Sequence, residues 1–460
     1  MLGVHGAERV EQRDARRIEV GMPVVHGPSL PRCTPDGNRT ARLALTMNAT
    51  PPTPEPQQTG EHPVVLRHPA EVRIDLDAIA ANVGELRRRA GAADLMAVVK
   101  ADAYGHGLVP SARAALAGGA GWLGVAQLQE ALALRAAGIT APVLSWLHAP
   151  GMDFAPALTA GIDLAASAPW TLDAVLEAAR ATGETARVHL KVDTGLGRNG
   201  AFLADAGARH TDWQILVDHA RRLEAEGAVR VVGIFTHFAY ADAPGHPTVR
   251  HQQEAFADAV AIAERAGLTP EVRHMSNSAA TLTTPESAWD LVRPGLSVYG
   301  LSPAPEIGTP EQLGLVPAMT AVARAAVVKR VPGGQGVSYG HTYTTPGPTT
   351  LVDIPLGYAD GVPRHASNRA SVLVEGERRR IAGRVCMDQF VVDVGDLPVR
   401  AGDEVVLFGP GTAGEPTAQD WAESVGTINY EIVTRFGPRV PRVYVGSAAA
   451  SAAVQSGAEG

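Results

Sequence analysis

The most constraining feature of the sequence is a series of short apolar segments that alternate with stretches of helical periodicity. Each apolar segment predicts a buried parallel strand, and each stretch between them predicts an amphipathic helix that covers the sheet. Eight such segments over roughly 240 residues match the usual size of a (β/α)8 barrel. The predicted barrel strands are Leu95–Val99, Trp122–Ala126, Val143–Trp146, Ile162–Ala166, Val188–Val192, Val231–Phe235, Val272–Met275 and Trp289–Val292.

The sequence on either side of these segments has a different texture. Val72-Arg73-Ile74 predicts a short strand ahead of the barrel, and Asp77 is the expected N-cap of the helix that follows. Beyond residue 314, apolar runs lie between Gly/Pro turns with little helical periodicity until Ala418–Val425, which predicts a mainly β second domain. Those runs are Ala325–Val331, Thr350–Pro355, Ala370–Val374, Phe390–Val394 and Glu404–Phe408.

We therefore divide the 460-residue chain into four segments. Residues 1–64 are expected to be a flexible extension, because the proline-rich run Pro51–Gln58 cannot bury enough apolar surface to order itself. Translation from Met47 is an alternative that would remove most of this extension. Residues 65–313 are expected to form the barrel, and residues 314–446 the mainly β C-terminal domain. Residues 447–460 are expected to be a frayed tail.

Composition narrows the class of protein and of partner. The formal net charge is -8, so the basic footprint of a nucleic-acid-binding protein is missing. Two cysteines, Cys33 and Cys386, are too few for a disulfide framework, and a reducing, cytoplasmic location is expected. No apolar run approaches the roughly 18 residues of a membrane helix. No metal-ligand spacing stands out. These features favour an enzyme that acts on a small molecule.

Reactive groups of a barrel gather at the carboxyl ends of its strands. Lys100 follows the first predicted strand, Arg198 the fifth and His237 the sixth. Asn277-Ser278 follows the seventh strand and Arg293 the eighth. We expect these side chains to converge on one face of the barrel.

Two of these positions indicate a phosphorylated aldehyde cofactor. Lys100 ends an apolar strand, and partial desolvation lowers the pKa of a lysine, so that its neutral amine can attack an aldehyde. A surface lysine at a strand end is the alternative. The loops after strands seven and eight often hold phosphate, and here they offer the Ser278 hydroxyl and the Gly295 and Leu296 amides. Helix capping by Ser276-Asn277-Ser278 is the alternative there. Together they predict pyridoxal 5'-phosphate (PLP).

The sequence resembles the alanine racemases, PLP-dependent enzymes of fold type III, from about Glu71 to Tyr444. The resemblance is carried by long motifs that occur in the family's order. They are Val99–Gly107 around the lysine, Lys191–Arg198, Thr236–Phe238, Arg293–Gly295, Val337–Gly340, Gly357–Gly361, Arg384–Gln389 and Thr427–Glu431.

The resemblance implies an isomerase that interconverts L- and D-alanine and supplies D-alanine for peptidoglycan. Lys100 would bind the cofactor covalently and act as the base on the D-alanine side. Tyr339 would be the opposing base on the L-alanine side, because racemisation needs proton transfer on both faces of a planar carbanion. In this family the tyrosine comes from the partner subunit, so a homodimer with shared active sites is expected.

Further roles follow from the same resemblance. Arg293 would face the pyridine nitrogen and keep it unprotonated, with His237 supporting Arg293 and stacking near the ring. Arg198 would contact the substrate carboxylate. Lys191 resembles a lysine that is often carbamylated, and the carbamate would pair with Arg198 instead of repelling it.

The remaining implied residues bind phosphate or line the substrate mouth. The phosphate is expected to meet Tyr104, Ser278, Gly295, Leu296 and Tyr430, and Asn277 belongs to the same cofactor-binding set. Tyr358, Met387 and Asp388 would come from the other subunit and restrict the pocket to a small side chain. A cap or turn role remains an alternative for Asp388, and Cys386 is expected to pack rather than to react.

Three alternatives remain open. A broader amino-acid racemase of the same fold would differ in pocket size. A basic-amino-acid decarboxylase would use a carboxylate at the pyridine nitrogen, which Arg293 argues against. A non-catalytic PLP-binding protein is a lone barrel, and the second domain with Tyr339 argues against it.

Overall fold

The computed structural model describes residues 68–203 and 211–447. The predicted extension, residues 1–64, lies outside the described residues, as does the predicted tail beyond Ser447. The described chain begins with strand β1 (Ala70–Asp75), which leads directly into helix α1 (Leu76–Ala90). The residues of α1 that recur at helical spacing, including Ile79, Val83 and Leu86, are buried as the periodicity predicts.

A parallel barrel sheet follows, and all eight predicted strands are present in it. From the first to the seventh, each strand pairs with the next in parallel, and the eighth pairs in parallel with the first through Leu291 and Asp94. Between the seventh and eighth strands the Asp290 amide donates to the Arg273 carbonyl at 3.1 Å. The strands are β2 (Asp94–Val98), β3 (Trp122–Val125), β4 (Val143–Ser145), β5 (Asp163–Ala166), β6 (Ala186–Asp193), β8 (Val229–Phe235), β9 (Val272–His274) and β10 (Leu291–Val292), with the short β7 (Ala201–Phe202) beside β6.

Helices alternate with these strands and cover the barrel. Their apolar faces pack against the strands, and Trp213 and Phe256 are among the largest fully buried side chains. The segment α2 (Lys100–Tyr104) is a left-handed turn. The helices are α3 (Leu108–Ala117), α4 (Leu128–Ala136), α5 (Ala155–Thr159), α6 (Pro169–Thr182), α7 (Asp212–Ala225), α8 (Pro247–Arg265) and α9 (Ser278–Thr283). Apolar side chains of several barrel strands form a second buried cluster. Its members are Met96, Trp122, Leu144, Ala165, Val232, Phe235 and Leu291.

The second half of the described chain is mainly β, as predicted. It contains a six-stranded sheet in the order β17-β16-β19-β11-β1-β20, a three-stranded sheet β12-β15-β18 and the pair β13-β14. The strands are β11 (Met319–Arg324), β12 (Val327–Val331), β13 (Gly336–Val337), β14 (Tyr343–Thr344), β15 (Thr349–Ile354), β16 (Ser371–Val374), β17 (Glu377–Arg380), β18 (Phe390–Gly395), β19 (Glu404–Phe408) and β20 (Arg442–Val445). Helices α10 (Ala418–Val425) and α11 (Asn429–Thr434) precede the last strand. Short 3₁₀ turns occupy Pro285–Ser287, Leu296–Tyr299, Pro305–Ile307, Tyr339–His341 and Arg364–Ala366.

The first strand differs from expectation in its partners. β1 lies within the predicted barrel segment, yet it pairs antiparallel with β11 and parallel with β20 in the six-stranded sheet. The alternation of apolar and polar residues along β1 predicts a strand but not which strands pair with it. The sequence therefore did not assign β1 to a sheet. The expected N-cap Asp77 is also wrong, because the side chain of Asp75 accepts from the Asp77 and Ala78 amides at 2.9 and 3.0 Å.

Within the described residues, no helix has both the length and the apolar composition needed to cross a bilayer.

Asn82 connects α1 to the segment between the barrel and the β sheets. It is buried, its Nδ2 donates to the Val316 carbonyl at 2.9 Å and to the Val298 carbonyl at 3.3 Å, and its Oδ1 accepts from the Val316 amide at 2.8 Å. The Asn82 side chain therefore forms hydrogen bonds with three backbone groups that would otherwise lack a partner beneath α1.

Replacing this side chain should destabilise the fold. Asn82→Ala leaves buried backbone groups unpaired, and we expect it to lower the free energy of unfolding by about 2 kcal/mol. Urea unfolding followed by circular dichroism measures the change. Arg88→Ala on the same helix is the control, because Arg88 is 69% exposed and an ion pair at the surface contributes little to stability. Equal effects of the two substitutions would contradict the structural role of Asn82.

Candidate active site

A cavity of about 660 Å³ opens at the carboxyl end of the barrel strands. Most of its wall comes from residues at or after the ends of β2, β4, β6, β8, β9 and β10, and the rest comes from α11, its C-terminal end and the turn before it. The lining residues are Val98, Lys100, Ala101, Tyr104, Trp146, Lys191, Arg198, Phe235, His237, Asn277, Ser278, Arg293, Gly295, Leu296, Thr427, Ile428, Tyr430, Glu431 and Thr434.

The structure brings most of the candidate residues together in this cavity. All five strand-end positions singled out from the sequence line it, as do Lys191 and Tyr430. Four candidates of the β domain do not line it: Tyr339, Tyr358, Met387 and Asp388. Tyr339 is 70% exposed and Met387 is 53% exposed, so these side chains face outward in a single chain.

Lys100 lies at the end of β2 with its side chain in the cavity. Burial lowers the pKa of its amine, and the positive charge of Arg198 lowers it further, while the carboxylate of Glu130 opposes both effects. A lowered pKa increases the neutral fraction of the amine at a given pH. The lysine is therefore suited to attack a carbonyl carbon.

Arg293 begins a buried chain of hydrogen bonds. Its Nη1 lies 3.1 Å from Nδ1 of His274, whose Nε2 lies 2.9 Å from Nδ1 of His189, and Nε2 of His189 lies 3.2 Å from Oδ2 of Asp163. A guanidinium can only donate, so Nδ1 of His274 must accept, and each histidine then passes its single N–H along the chain. This relay ends on the carboxylate of Asp163.

The relay corrects one sequence expectation. We expected His237 to support Arg293, but within the described chain the side chain of Arg293 is held by His274 and by the Thr236 carbonyl, at 2.7 Å from Nη2. Burial and the neighbouring cations Arg293 and Arg198 hold the pKa of His237 well below its usual value. His237 is thus a neutral ring in the cavity wall.

The cavity concentrates positive charge. Burial lowers the pKa of Arg293 to about 9, which still leaves the guanidinium protonated at neutral pH. Burial, together with Arg293 and Arg198, lowers the pKa of Lys191 to about 8. Lys100, Lys191, Arg198 and Arg293 repel one another across this space, so the cavity favours anionic groups.

One end of the cavity fits a phosphate group. The Ser278 hydroxyl accepts from the Gly295 amide at 2.8 Å and from the Ser297 amide at 3.3 Å, which leaves its own hydrogen free to donate to an anion. A Cβ at Gly295 would collide with the Tyr104 hydroxyl, so only glycine fits. Burial raises the pKa of Tyr430 to about 12, and its neutral hydroxyl remains a donor.

Helix capping and cavity lining coexist at Asn277. Its side chain accepts from the Ala280 amide at 3.0 Å and so caps α9, while the residue also lines the cavity. The two interpretations of the Ser-Asn-Ser segment therefore describe the same residues. With the amine of Lys100 and the buried Arg293, the donor set fits a phosphorylated pyridine aldehyde.

Sequence comparison identifies the family. The chain matches the family model "Alanine racemase, N-terminal domain" over residues 74–303 and "Alanine racemase, C-terminal domain" over residues 318–444. The chain belongs to the alanine racemase family. The alanine racemase of Frankia casuarinae is 64% identical over 372 residues, which cover 81% of this chain and 95% of that protein. The alanine racemase of Streptomyces coelicolor is 59% identical over 385 residues, covering 83% and 96%.

Solved alanine racemases share the fold. The crystal structure of the enzyme from D-cycloserine-producing Streptomyces lavendulae superposes with a TM-score of 0.80 at 56% identity, covering 83% of this chain and 98% of that chain. The structure from Streptomyces coelicolor A3(2) has a TM-score of 0.80 at 57% identity, covering 82% and 98%. Membership of the alanine racemase family therefore extends over both the barrel and the β domain.

The outward-facing residues of the alanine racemase β domain lie on connected loops. The Ser338 hydroxyl, next to Tyr339, donates to the Arg384 carbonyl at 2.6 Å. Asp388 is an ion-pair partner of Arg439 at 2.8 Å, and Arg439 also contacts Asp360 at 3.0 Å. The carboxylate of Asp388 thus forms an exposed ion pair with Arg439.

Sequence reasoning missed several residues of the site. Trp146 and Phe235 end predicted strands and line the cavity, so the rule that located Lys100 could have found them. The relay residues His274 and His189 carried no signal, because they lie inside strands and meet only when the barrel closes. The contribution of α11 beyond Tyr430 was also missed.

The buried end of the relay should matter for stability. Burial alone raises the pKa of Asp163, but hydrogen bonds and charges from His189 and Arg187 bring the pKa below its ordinary value. Asp163→Asn should therefore lower the free energy of unfolding at pH 7 by about 2 kcal/mol. This stabilisation is present above the unfolded pKa of about 4 and is lost as pH falls through the folded value.

Urea unfolding of both proteins between pH 7 and pH 3 measures this difference. Asp173→Asn is the control, because the carboxylate of Asp173 is 62% exposed in its pair with His219. A gap between wild type and Asp163→Asn that stays constant down to pH 3 would show that the carboxylate charge does not stabilise the relay.

Proposed function

We propose that this protein interconverts L- and D-alanine with pyridoxal 5'-phosphate bound covalently to Lys100. The observation that carries the proposal is the meeting, in one cavity, of a lysine amine with a lowered pKa, a buried guanidinium and a hydroxyl-and-amide cradle for phosphate. Family membership supports the same reaction. When bound, the cofactor supplies an aldehyde for the amino group and an electron-withdrawing ring.

The residues of the chain hold the cofactor in a defined orientation. Ser278, the amide of Leu296 and the hydroxyls of Tyr104 and Tyr430 would bind the phosphate, and Gly295 would allow it to approach while its own amide holds the Ser278 hydroxyl. Arg293 would face the pyridine nitrogen and leave it unprotonated, since a guanidinium gives up its proton with difficulty. The relay behind Arg293 keeps the guanidinium in place.

Two bases on opposite faces would move the Cα proton. Lys100 would serve the D-alanine face, and Tyr339 of the partner subunit would serve the L-alanine face. The strong exposure of Tyr339, and its absence from the lining of its own chain's cavity among the described residues, support a homodimer with shared sites. Arg198 would bind the substrate carboxylate, and Tyr358, Met387 and Asp388 of the second chain would limit side-chain size.

We further propose the division into a barrel at residues 65–313 and a β domain at residues 314–446, with β1 added to the β sheet. The protein would act in the cytoplasm, and its D-alanine would serve peptidoglycan synthesis. A broader racemase is the alternative function. Serine, lysine and arginine assayed beside alanine would distinguish the two, since a restricted mouth predicts a strong preference for alanine.

Tyr339→Phe should separate the two bases. We expect racemisation to fall by about 10³-fold, within the range of a lost general base, while cofactor absorbance is retained. Lys100 alone should still exchange the Cα hydrogen of D-alanine with solvent, so D-alanine in D₂O should gain deuterium without inversion. Nuclear magnetic resonance and chiral chromatography measure the two outcomes. Unchanged racemisation by Tyr339→Phe would reject Tyr339 as a base.

The same variant tests the shared site. Mixed dimers of Lys100→Ala chains and Tyr339→Phe chains contain one site with both bases intact if Tyr339 serves the neighbouring chain. Mixing the two inactive proteins should then recover activity. Failure of such verified mixed dimers to recover activity would place both bases in one chain.

Lys191 should carry a carbamate. Its pKa of about 8 leaves part of the amine neutral and reactive toward carbon dioxide, and the resulting anion would relieve the repulsion with Arg198. Carbon-13 bicarbonate should give a carbamate resonance that is missing in Lys191→Met. High-resolution density for a free amine at Lys191 would refute this prediction.

A further inference from the structure

We propose that Glu130 is a positioning residue for Lys100, holding the chain beside it in a strained left-handed turn. This inference rests on the proposed function, which assigns Lys100 as the cofactor lysine and a base. Glu130 lies in the first turn of α4, the helix that follows the neighbouring strand β3.

The turn after Lys100 is unusual in its backbone. Four consecutive residues, Ala101–Tyr104, have φ angles of 54°, 53°, 54° and 53°. None of them is glycine, and left-handed helical geometry costs an L-residue roughly 1–2 kcal/mol. Such a conformation persists only where surrounding contacts enforce it.

Glu130 supplies the contact nearest the lysine. Its Oε1 accepts from the Ala101 amide at 2.6 Å, and its Oε2 accepts from the Ala126 and Gln127 amides at 3.1 and 2.9 Å. One carboxylate therefore joins the chain after β2 to the chain after β3. All three neighbours are donors, so both oxygens are needed as acceptors.

Other contacts hold the far end of the turn. Asp102 accepts from the Leu108 amide at 2.8 Å, and Nδ1 of His106 lies 3.0 Å from the Ala103 and Tyr104 carbonyls. The ring of His106 stacks on Tyr299 at 4.4 Å. These contacts fix Tyr104 at the phosphate end, whereas Glu130 fixes the residue adjacent to Lys100.

Glutamine cannot reproduce this arrangement. It offers one oxygen for three amides, and its NH₂ group would face an N–H donor either at Ala101 or at the α4 cap. Aspartate keeps the charge but is one methylene shorter, so it cannot reach both sides. A displaced turn misplaces the Lys100 amine, and errors of about 1 Å in reacting groups can cost up to about 10²-fold in rate.

The test compares Glu130→Gln and Glu130→Asp with wild type in two assays. The first is the rate at which the cofactor-free protein captures added PLP, followed by absorbance and located by borohydride reduction and peptide mapping. The second is exchange of the Cα hydrogen with D₂O, started separately from D-alanine and from L-alanine. Loss of one helix cap costs only about 1 kcal/mol, so both variants should fold.

We expect both variants to capture PLP about tenfold more slowly and to exchange D-alanine about tenfold more slowly, with L-alanine exchange within about twofold of wild type. A merely structural defect would slow both faces equally. Glu177→Gln is the control, since it removes the same charge from an exposed position on α6 and should behave as wild type.

Three results overturn the inference. They are wild-type rates in Glu130→Gln, wild-type rates in Glu130→Asp, which would assign the effect to charge alone, and equal slowing of exchange from both enantiomers. If instead wild type itself captures no PLP on Lys100, the proposed function fails, and the two failures are thus distinguishable.

Discussion

The burial of one guanidinium is the constraint on which the rest of the site depends. Arg293 sits inside the barrel without a direct carboxylate partner among the described residues, and a buried charge of this kind is costly unless every donor is satisfied. Nη1 donates to His274, at the start of the relay that ends on Asp163, and Nη2 donates to backbone carbonyls. Because Asp163 is also held by Arg187 near the opposite end of the strands, the barrel core itself orients the guanidinium.

Excess positive charge determines what the cavity can accept. Burial lowers the pKa of both Lys100 and Lys191, Arg198 lowers both further, and Arg293 and Lys100 also lower the pKa of Lys191. The clustering of cations in the cavity therefore both lowers the pKa of the amines and favours the binding of anions. A phosphate, a substrate carboxylate and a carbamate would each reduce the repulsion, which explains physically why the proposed ligands and the proposed modification belong together.

The sequence predicted those features of the fold and of the site that depend on local patterns of residues. Eight apolar segments gave the barrel, and the residue type after each strand gave Lys100, Arg198 and Arg293, because carboxyl ends of parallel strands share one face. Contacts between segments that are far apart in the chain could not be predicted from local sequence patterns. The pairing of β1 with β20, the hydrogen bond between His274 and His189 and the contact of Glu130 with the Ala101 amide arise only when the chain closes. The family resemblance supplied candidate roles for residues but did not supply these contacts.

The packing of the β domain bears on where Tyr339 can act. Arg442 donates to the Gly105 carbonyl at 3.0 Å, and a Cβ at Gly105 would collide with the Val433 carbonyl of α11. The β domain is therefore packed tightly against the turn that carries Lys100, and Tyr430 of α11 reaches the cavity of its own chain. Tyr339 belongs to the same β domain, yet it is 70% exposed and does not line this cavity. A second chain is then the economical source of a base for the other face of the substrate, because the side of the cavity next to the β domain of the same chain is already occupied by α11.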